Sequence, residues 1–372
     1  MTDNDDRPWL TPGVRAVGAA SFFSDAGHEI TTAVLPTFVT GTLGASAGAL
    51  GLIDGVSDAL IGVMKLVAGP WADDPRRRAG IATGGYLGTA GAIGAIGAIG
   101  AATTVWQVGL LRAGAWVSRG LRSPSKDALL ASLVPEAAHG RAFGIERAGD
   151  NLGAVAGPLL AALLVAWLGI RPALYLTAIP GVFAAIAIMF AARQARRQAQ
   201  QASGPTTARR RLDLGALRDA GMLRALLPVA LFQCGNLAVT LMILRAGQLL
   251  TTSHRSVAAA TSLAILLYAA HNAMATAASL VAGFWFDRSG PRVVFACSAA
   301  VYVVGYALFA AGSHAIVVVL LAFLLAGTGI CLAEPNQSAV VSQLLPDRLR
   351  GSGFGVLGAV RCGAVRCSRS GT

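Results

Sequence analysis

Apolar stretches of roughly 20 residues, the length a helix needs to cross the hydrocarbon core of a bilayer, recur along the whole of this 372-residue chain. Only 13% of its residues are charged and 55% are hydrophobic, whereas a soluble domain carries about a quarter charged residues. The chain is therefore read as an all-α polytopic membrane protein. Spans are expected near 15–39, 47–69, 79–102, 105–127, 149–168 and 172–192, then near 225–250, 258–285, 293–311 and 315–344.

A formal net charge of +12 raises the question of a nucleic-acid partner, and the placement of the charges answers it. Taking the polar breaks in order, alternate segments hold 22 of the Lys and Arg residues and the intervening ones hold 2. That asymmetry is the positive-inside rule, which puts the N-terminus and the long central loop in the cytoplasm of a multi-pass protein of the cell membrane. The basic residues, Arg119, Arg122 and Lys126 with neighbouring Asp127 among them, read as topology or headgroup contacts, with no nucleic acid involved. The opening MTDNDDRPWLTPG lacks a basic n-region and cleavage site, so no removable signal is expected. Cys234, Cys297, Cys331, Cys362 and Cys367 have neither disulfide-framework nor zinc-site spacing, and no cofactor is expected.

Two internal repeats divide the chain at a basic, Gln- and Ser-rich stretch. SPSKDALLASLVPEAAHGRAFG from Ser123 recurs without a gap as EPNQSAVVSQLLPDRLRGSGFG from Glu334, so that Gly140, Phe143 and Gly144 match Gly351, Phe354 and Gly355. GPWADDPRRR from Gly69 recurs as GFWFDRSGPR from Gly283. Halves duplicated about an axis along the membrane normal describe one transporter architecture. The expected organisation is a six-span bundle at 1–192, a cytoplasmic loop at 193–224 and a second bundle at 225–372.

With these motifs the chain resembles the major facilitator superfamily (MFS), particularly a prokaryotic branch of permeases. Gly69, Asp73, Arg77 and Arg78, and Gly283, Asp287, Arg288 and Arg292, match the family's G-x-x-x-D-R-x-G-R-R loop. The resemblance implies the MFS fold of two pseudo-symmetric six-helix bundles. It also implies that these loops lock one state of a rocking cycle, with Asp73 facing the start of the eleventh span near Gly351 and Asp287 the start of the fifth. Arg112 stands at the family's membrane-embedded Arg. Gly153, Gly157 and Pro158 match the G-x-x-x-G-P element of its antiporters, which tilts the reading toward efflux and a bend in the fifth span where the halves meet. After Val360 charged residues enter, so ten spans plus a stub of the eleventh are expected in place of the usual twelve.

The chemistry concentrates in the N-terminal half. Asp25, His28 and Glu29 fall at i, i+3 and i+4 on one helical face near the middle of the first span. Ionisable groups at that depth face a cavity or a partner, so proton coupling or substrate contact is weighed against a polar helix contact. A metalloprotease pattern fails, because Thr32 stands where a second His is required. Asp54, Asp58 and Lys65 form a second stripe, read either as a self-neutralising Asp–Lys pair or as Asp58 or Asp54 facing the same cavity, with Asp58 the candidate taken forward. Arg112 is the expected counter-charge to Asp25 and Glu29, and Glu334 is the acid of the second half. His271 reads as a helix-packing hydrogen bond. Gly91, Gly94, Gly97 and Gly100 suit either sliding or static close packing.

These readings point to a monomeric secondary transporter of a small molecule, working by alternating access and driven outward by proton antiport. Proton-coupled uptake and a transport-inactive truncated membrane protein are the alternatives. An intramembrane enzyme finds no nucleophile–base pair, metal motif or phosphate loop to support it.

Overall fold

The computed structural model describes residues 9–97, 102–201, 212–235, 239–251 and 257–370. Every regular element within them is helical. In the first half these are α1 (Pro12–Thr37), α2 (Ala47–Ala72), α3 (Pro75–Gly97), α4 (Val105–Leu133), α5 (His139–Leu168), α6 (Ile170–Leu176) and α7 (Ala178–Gln201). The second half holds α8 (Leu214–Asp219), α9 (Met222–Cys234), α10 (Val239–Leu250), α11 (Val257–Ser289), α12 (Pro291–Ala310), α13 (Ile316–Leu344) and α14 (Asp347–Ser370).

The sequence marks where these helices begin. Thr11 and Ser46 accept from Val14 N and Ala49 N to cap α1 and α2. Thr104 and Gln107 form a reciprocal capping box on α4. Each arrangement satisfies backbone donors that a helix leaves open at its first turn. Gly290, with φ of 76°, turns the chain so that Pro291 can open α12.

Residues facing outward are apolar: Trp106, Leu110, Trp167, Leu227, Leu231, Val317 and their neighbours are exposed, while Arg78, Arg112, Arg122 and Glu146 are buried. This inverts the soluble pattern and matches a protein whose solvent is lipid. Four helices, Glu136–Leu168, Ile170–Arg197, Pro291–Ala310 and Ile316–Leu344, are long and apolar enough to cross a membrane on composition alone. α1 and α4 fall short of that criterion because their charges line the interior.

Three boundaries differ from expectation. The seventh span, expected as one helix, is split into α9 and α10 by a turn at Gly235. The sixth breaks at Thr177 between α6 and α7. The expected stub of the eleventh span is instead a helix that continues to Ser370. Its Arg361 does not meet lipid: Nε donates to Gln337 Oε1 at 2.9 Å and Nη2 to Glu334 O at 2.7 Å.

The halves pack through small residues on repeat-related helices. A Cβ on Gly140 of α5 would lie 2.6 Å from Gly283 O of α11, and one on Gly351 of α14 would lie 2.5 Å from Gly69 O of α2. The repeat-equivalent rings of Phe143 and Phe354 meet at 5.6 Å between centroids, so the two copies pack against each other where their sequences match.

Candidate functional site

A cavity of about 450 Å³ lies between the two halves, lined from α1, α2, α3, α4, α5, α13 and α14. Charges dominate its wall: Asp25, Asp127, Glu146, Asp150 and Glu334 against Lys65, Arg119, Arg122, Lys126, Arg147 and Arg361, with His28 beside them. Asp25 accepts from Arg119 Nη2 at 2.7 Å. Lys126 pairs with Glu146 and lies 3.8 Å from Asp127. Arg147 reaches Asp150 at 3.3 Å and, across the boundary between the halves, Glu334 at 3.1 Å. Arg122 donates to Ser24 Oγ and lies 3.8 Å above the Tyr86 ring.

Of the residues the sequence singled out, Asp25, His28 and Glu334 come together at this wall. Asp25 takes Arg119 rather than the expected Arg112 as its hydrogen-bonded cation. The Arg112 guanidinium sits 4.4 Å over Trp116, whose ring is 4.7 Å from that of His28, so Arg112 reaches the cavity through an aromatic layer. Glu29 is 4.0 Å from His28 Nε2, and its Cβ would lie 2.4 Å from a Cβ on Gly157. Asp58 lies on α2, but its side chain is outside the described residues, as is that of Asp54. Gly91, Gly94 and Gly97 of α3 are likewise outside the side-chain description, and Gly100 is outside the described residues altogether.

Arg119, Arg122, Lys126 and Asp127 correct the sequence reading. They line the cavity instead of meeting headgroups. Arg112, Trp116, Arg119, Arg122 and Lys126 are three or four residues apart, the spacing of a single α4 face, and Asp127 adjoins it. Counting them as loop charges hid that pattern. Glu146 and Asp150 on α5 carry the same i, i+4 signal, and Arg147 was legible only as a charge within an apolar helix. His271 fulfils its packing role, with Nδ1 2.8 Å from Phe323 O. Among the described residues no cluster of His, Cys, Asp and Glu is arranged to hold a metal ion.

The basic-loop end of the molecule is closed by two related contacts. Asp73 Oδ1 accepts from Ser352 N at 2.9 Å, and Ser352 Oγ donates to its second oxygen. Asp287 accepts from Gly140 N at 2.8 Å, Arg141 N at 3.1 Å and Arg141 Nε at 2.8 Å. Asp287 thus caps the first turn of α5, where open N–H groups and the helix dipole favour negative charge, while Asp73 meets the second turn of α14. Buried Arg78 ties Ala72 O and Ala128 O to Asp347 of α14. His139 and Ser342 meet at 2.8 Å across the same boundary.

Burial raises the Asp73 carboxyl to about 6, against the lowering effects of Ser352, Arg78 and Gly351. Arg77 pairs with its own loop's Asp74 at 3.2 Å, while Arg288 and Arg292 are exposed, so the basic residues contribute to the contact chiefly through Arg78. Hydrogen bonds and ion pairs between α1–α7 and α9–α14 run from this end to the cavity.

Gly153 and Gly157 contact the first half rather than the second. α5 runs unbroken through Pro158, and these glycines press onto α1 of the same half, where their Cβ atoms would meet Phe22 O at 2.5 Å and Ala26 O at 2.9 Å.

Two helical bundles around a central charged cavity, closed at one end by paired loop-to-helix contacts, define a membrane transporter of the two-bundle class. The family model of the Major Facilitator Superfamily matches residues 17–365, and the chain belongs to that family, whose members are transporters rather than enzymes. An uncharacterized protein of Mycobacterium tuberculosis is 30% identical over 335 residues, spanning 86% of this chain and 77% of its own length. In fold, the chain is similar to a bacterial homologue of the iron transporter ferroportin in an outward-facing state. That match has a TM-score of 0.73 at 17% identity and covers 96% of this chain and 91% of the other. It is also similar to the proton:xylose symporter XylE, with a TM-score of 0.71 at 12% identity, covering 97% and 88%.

Proposed function

We propose that this chain moves a small molecule across the cell membrane by alternating access, with protons as the coupling ion and efflux as the direction. The observation that carries the reading is the charged cavity between the halves, spanned by the Arg147–Glu334 ion pair. A pair made across two bodies must be broken or exchanged when they rock, so its occupancy responds to substrate and protons. Asp25 and Glu29 are the proposed proton carriers, because neutralising an intramembrane acid lowers the cost of occluding it. The symporter among the fold relatives is a precedent for proton coupling in this architecture, and the GAVAGP element of α5 favours antiport.

The charge asymmetry of the loops supports a cytoplasmic N-terminus, with bundles at 1–192 and 225–372 joined by 193–224. Lipid and a small-molecule substrate are the proposed partners of a monomer, without nucleic acid. In everted vesicles, an imposed proton gradient should drive accumulation of a substrate drawn from a chemically varied set. Asp25→Asn and Glu29→Gln should each lower that flux tenfold or more. Unchanged flux in both removes the proton-site assignment, and accumulation only under the opposite gradient makes the protein an uptake permease.

A further inference from the structure

The charges of the cavity wall are unevenly paired. All five carboxylates described there are engaged by three cations, Arg119, Lys126 and Arg147. The other three cations meet neutral groups: Arg122 the Ser24 hydroxyl and the Tyr86 ring, Arg361 the Gln337 amide, Ser338 hydroxyl and Glu334 carbonyl, and Lys65 the Cys362 sulfur at 3.5 Å. All three line the same cavity. Gly120 of α4 would place a Cβ 2.6 Å from Met64 Cβ, and Gly358 of α14 would place one 2.7 Å from Lys65 Cδ. Lys65 therefore lies where α2 meets α14, and Arg122 enters the same cavity from the side of α4 that packs on Gly85 of α3. Arg122 is 6% exposed, and a guanidinium so buried favours an anionic partner. Apolar Ile61, Trp116, Phe354 and Leu357 line the same cavity.

We infer that the cavity takes an organic anion, its acidic group held between Arg122 of one half and Arg361 of the other with Lys65 beside them, and its apolar body against the aromatic wall. The inference rests on the transporter reading and adds the substrate class. Guanidinium groups bind carboxylate and phosphate oxygens in a planar, bidentate manner. An anion spanning the two halves would also favour the form in which they approach.

The test is equilibrium binding to the purified full chain in detergent, read by tryptophan quenching. Fluorescein and phenyl phosphate present a carboxylate and a phosphate on aromatic bodies, and rhodamine 123 carries the fluorescein skeleton as a cation. At least one anion should bind saturably and displace the other, with rhodamine 123 at least tenfold weaker. Arg122→Gln and Arg361→Gln should each weaken the anion tenfold or more, Arg122→Lys should recover part of the loss, and exposed Arg218→Gln should change nothing. Thermal unfolding identifies any variant that fails to fold, and Lys65→Gln replaces it in the comparison. Failure of both anions to bind, tighter binding of rhodamine 123, or anion affinity unchanged in the Gln variants overturns the inference. Gradient-driven flux of rhodamine 123 with no anion binding would sink the anion assignment alone, and anion binding without flux of any compound would sink the transport reading instead.

Discussion

At the scale of single residues, Asp73 joins sequence, electrostatics and conformational state most directly. Its carboxyl accepts from Ser352 in the second turn of α14, and burial raises it to about 6 from the ordinary 3.8. Opening that end would expose it to water and return it toward the ordinary range. The closed form therefore holds the proton more tightly than the open one. Its extra stability is fully present below the ordinary value and is lost as pH rises through about 6. A cysteine at Ser279, fully buried on the α11 face against α5, reports the opening through its reaction with a water-soluble maleimide. In a background without native cysteines, labelling taken relative to an exposed cysteine at the same pH, which cancels the titration of the thiol itself, should be slower at pH 5 than at pH 7.5, and Asp73→Asn, which stays neutral, should flatten that ratio. A pH profile identical in the Asn variant would remove Asp73 as its source.

At the scale of elements, glycine decides how closely the halves approach. A Cβ on Gly283 would fall 2.5 Å from Gly140 O, against backbone that cannot swing aside. Gly283→Val should hold α5 and α11 apart and raise maleimide labelling at Ser279→Cys by about tenfold or more, the ratio for 1.4 kcal/mol. Unchanged labelling would mean that the contact is not needed for closure. The repeats made this surface legible, since Gly140 and Gly351, like Gly69 and Gly283, occupy matched places in the sequence. What could not be read was which helix each glycine would face. Gly153 and Gly157 belong to the same α5 yet serve α1, because a helix turned through successive faces meets a different neighbour on each. The α4 charges were missed for a related reason. Arg119, Arg122 and Lys126 resemble loop cations when counted along the chain, and only the direction of their common face separates a cavity wall from a headgroup contact. α14 shows the same limit: charge after Val360 reads as the end of a span until Arg361 is seen bonded to Gln337.

At the scale of the whole molecule, the proposed transport cycle rocks the two bundles around a charged cavity. The structure is the form closed at the basic-loop end. Asp73 and Asp287 hold that end by symmetric contacts, each with charge-assisted hydrogen bonds worth about 1.5–3 kcal/mol. Removing both should shift the balance by enough to populate an open form. The most direct measurement is a pulsed electron–electron distance between spin labels at Arg77→Cys and Arg288→Cys, in a background without native cysteines. Both sites are exposed, one in each half. The parent protein should show one short distance, and combining Asp73→Ala with Asp287→Ala should add a second, longer population. A single unchanged distance in both proteins would contradict the rocking cycle.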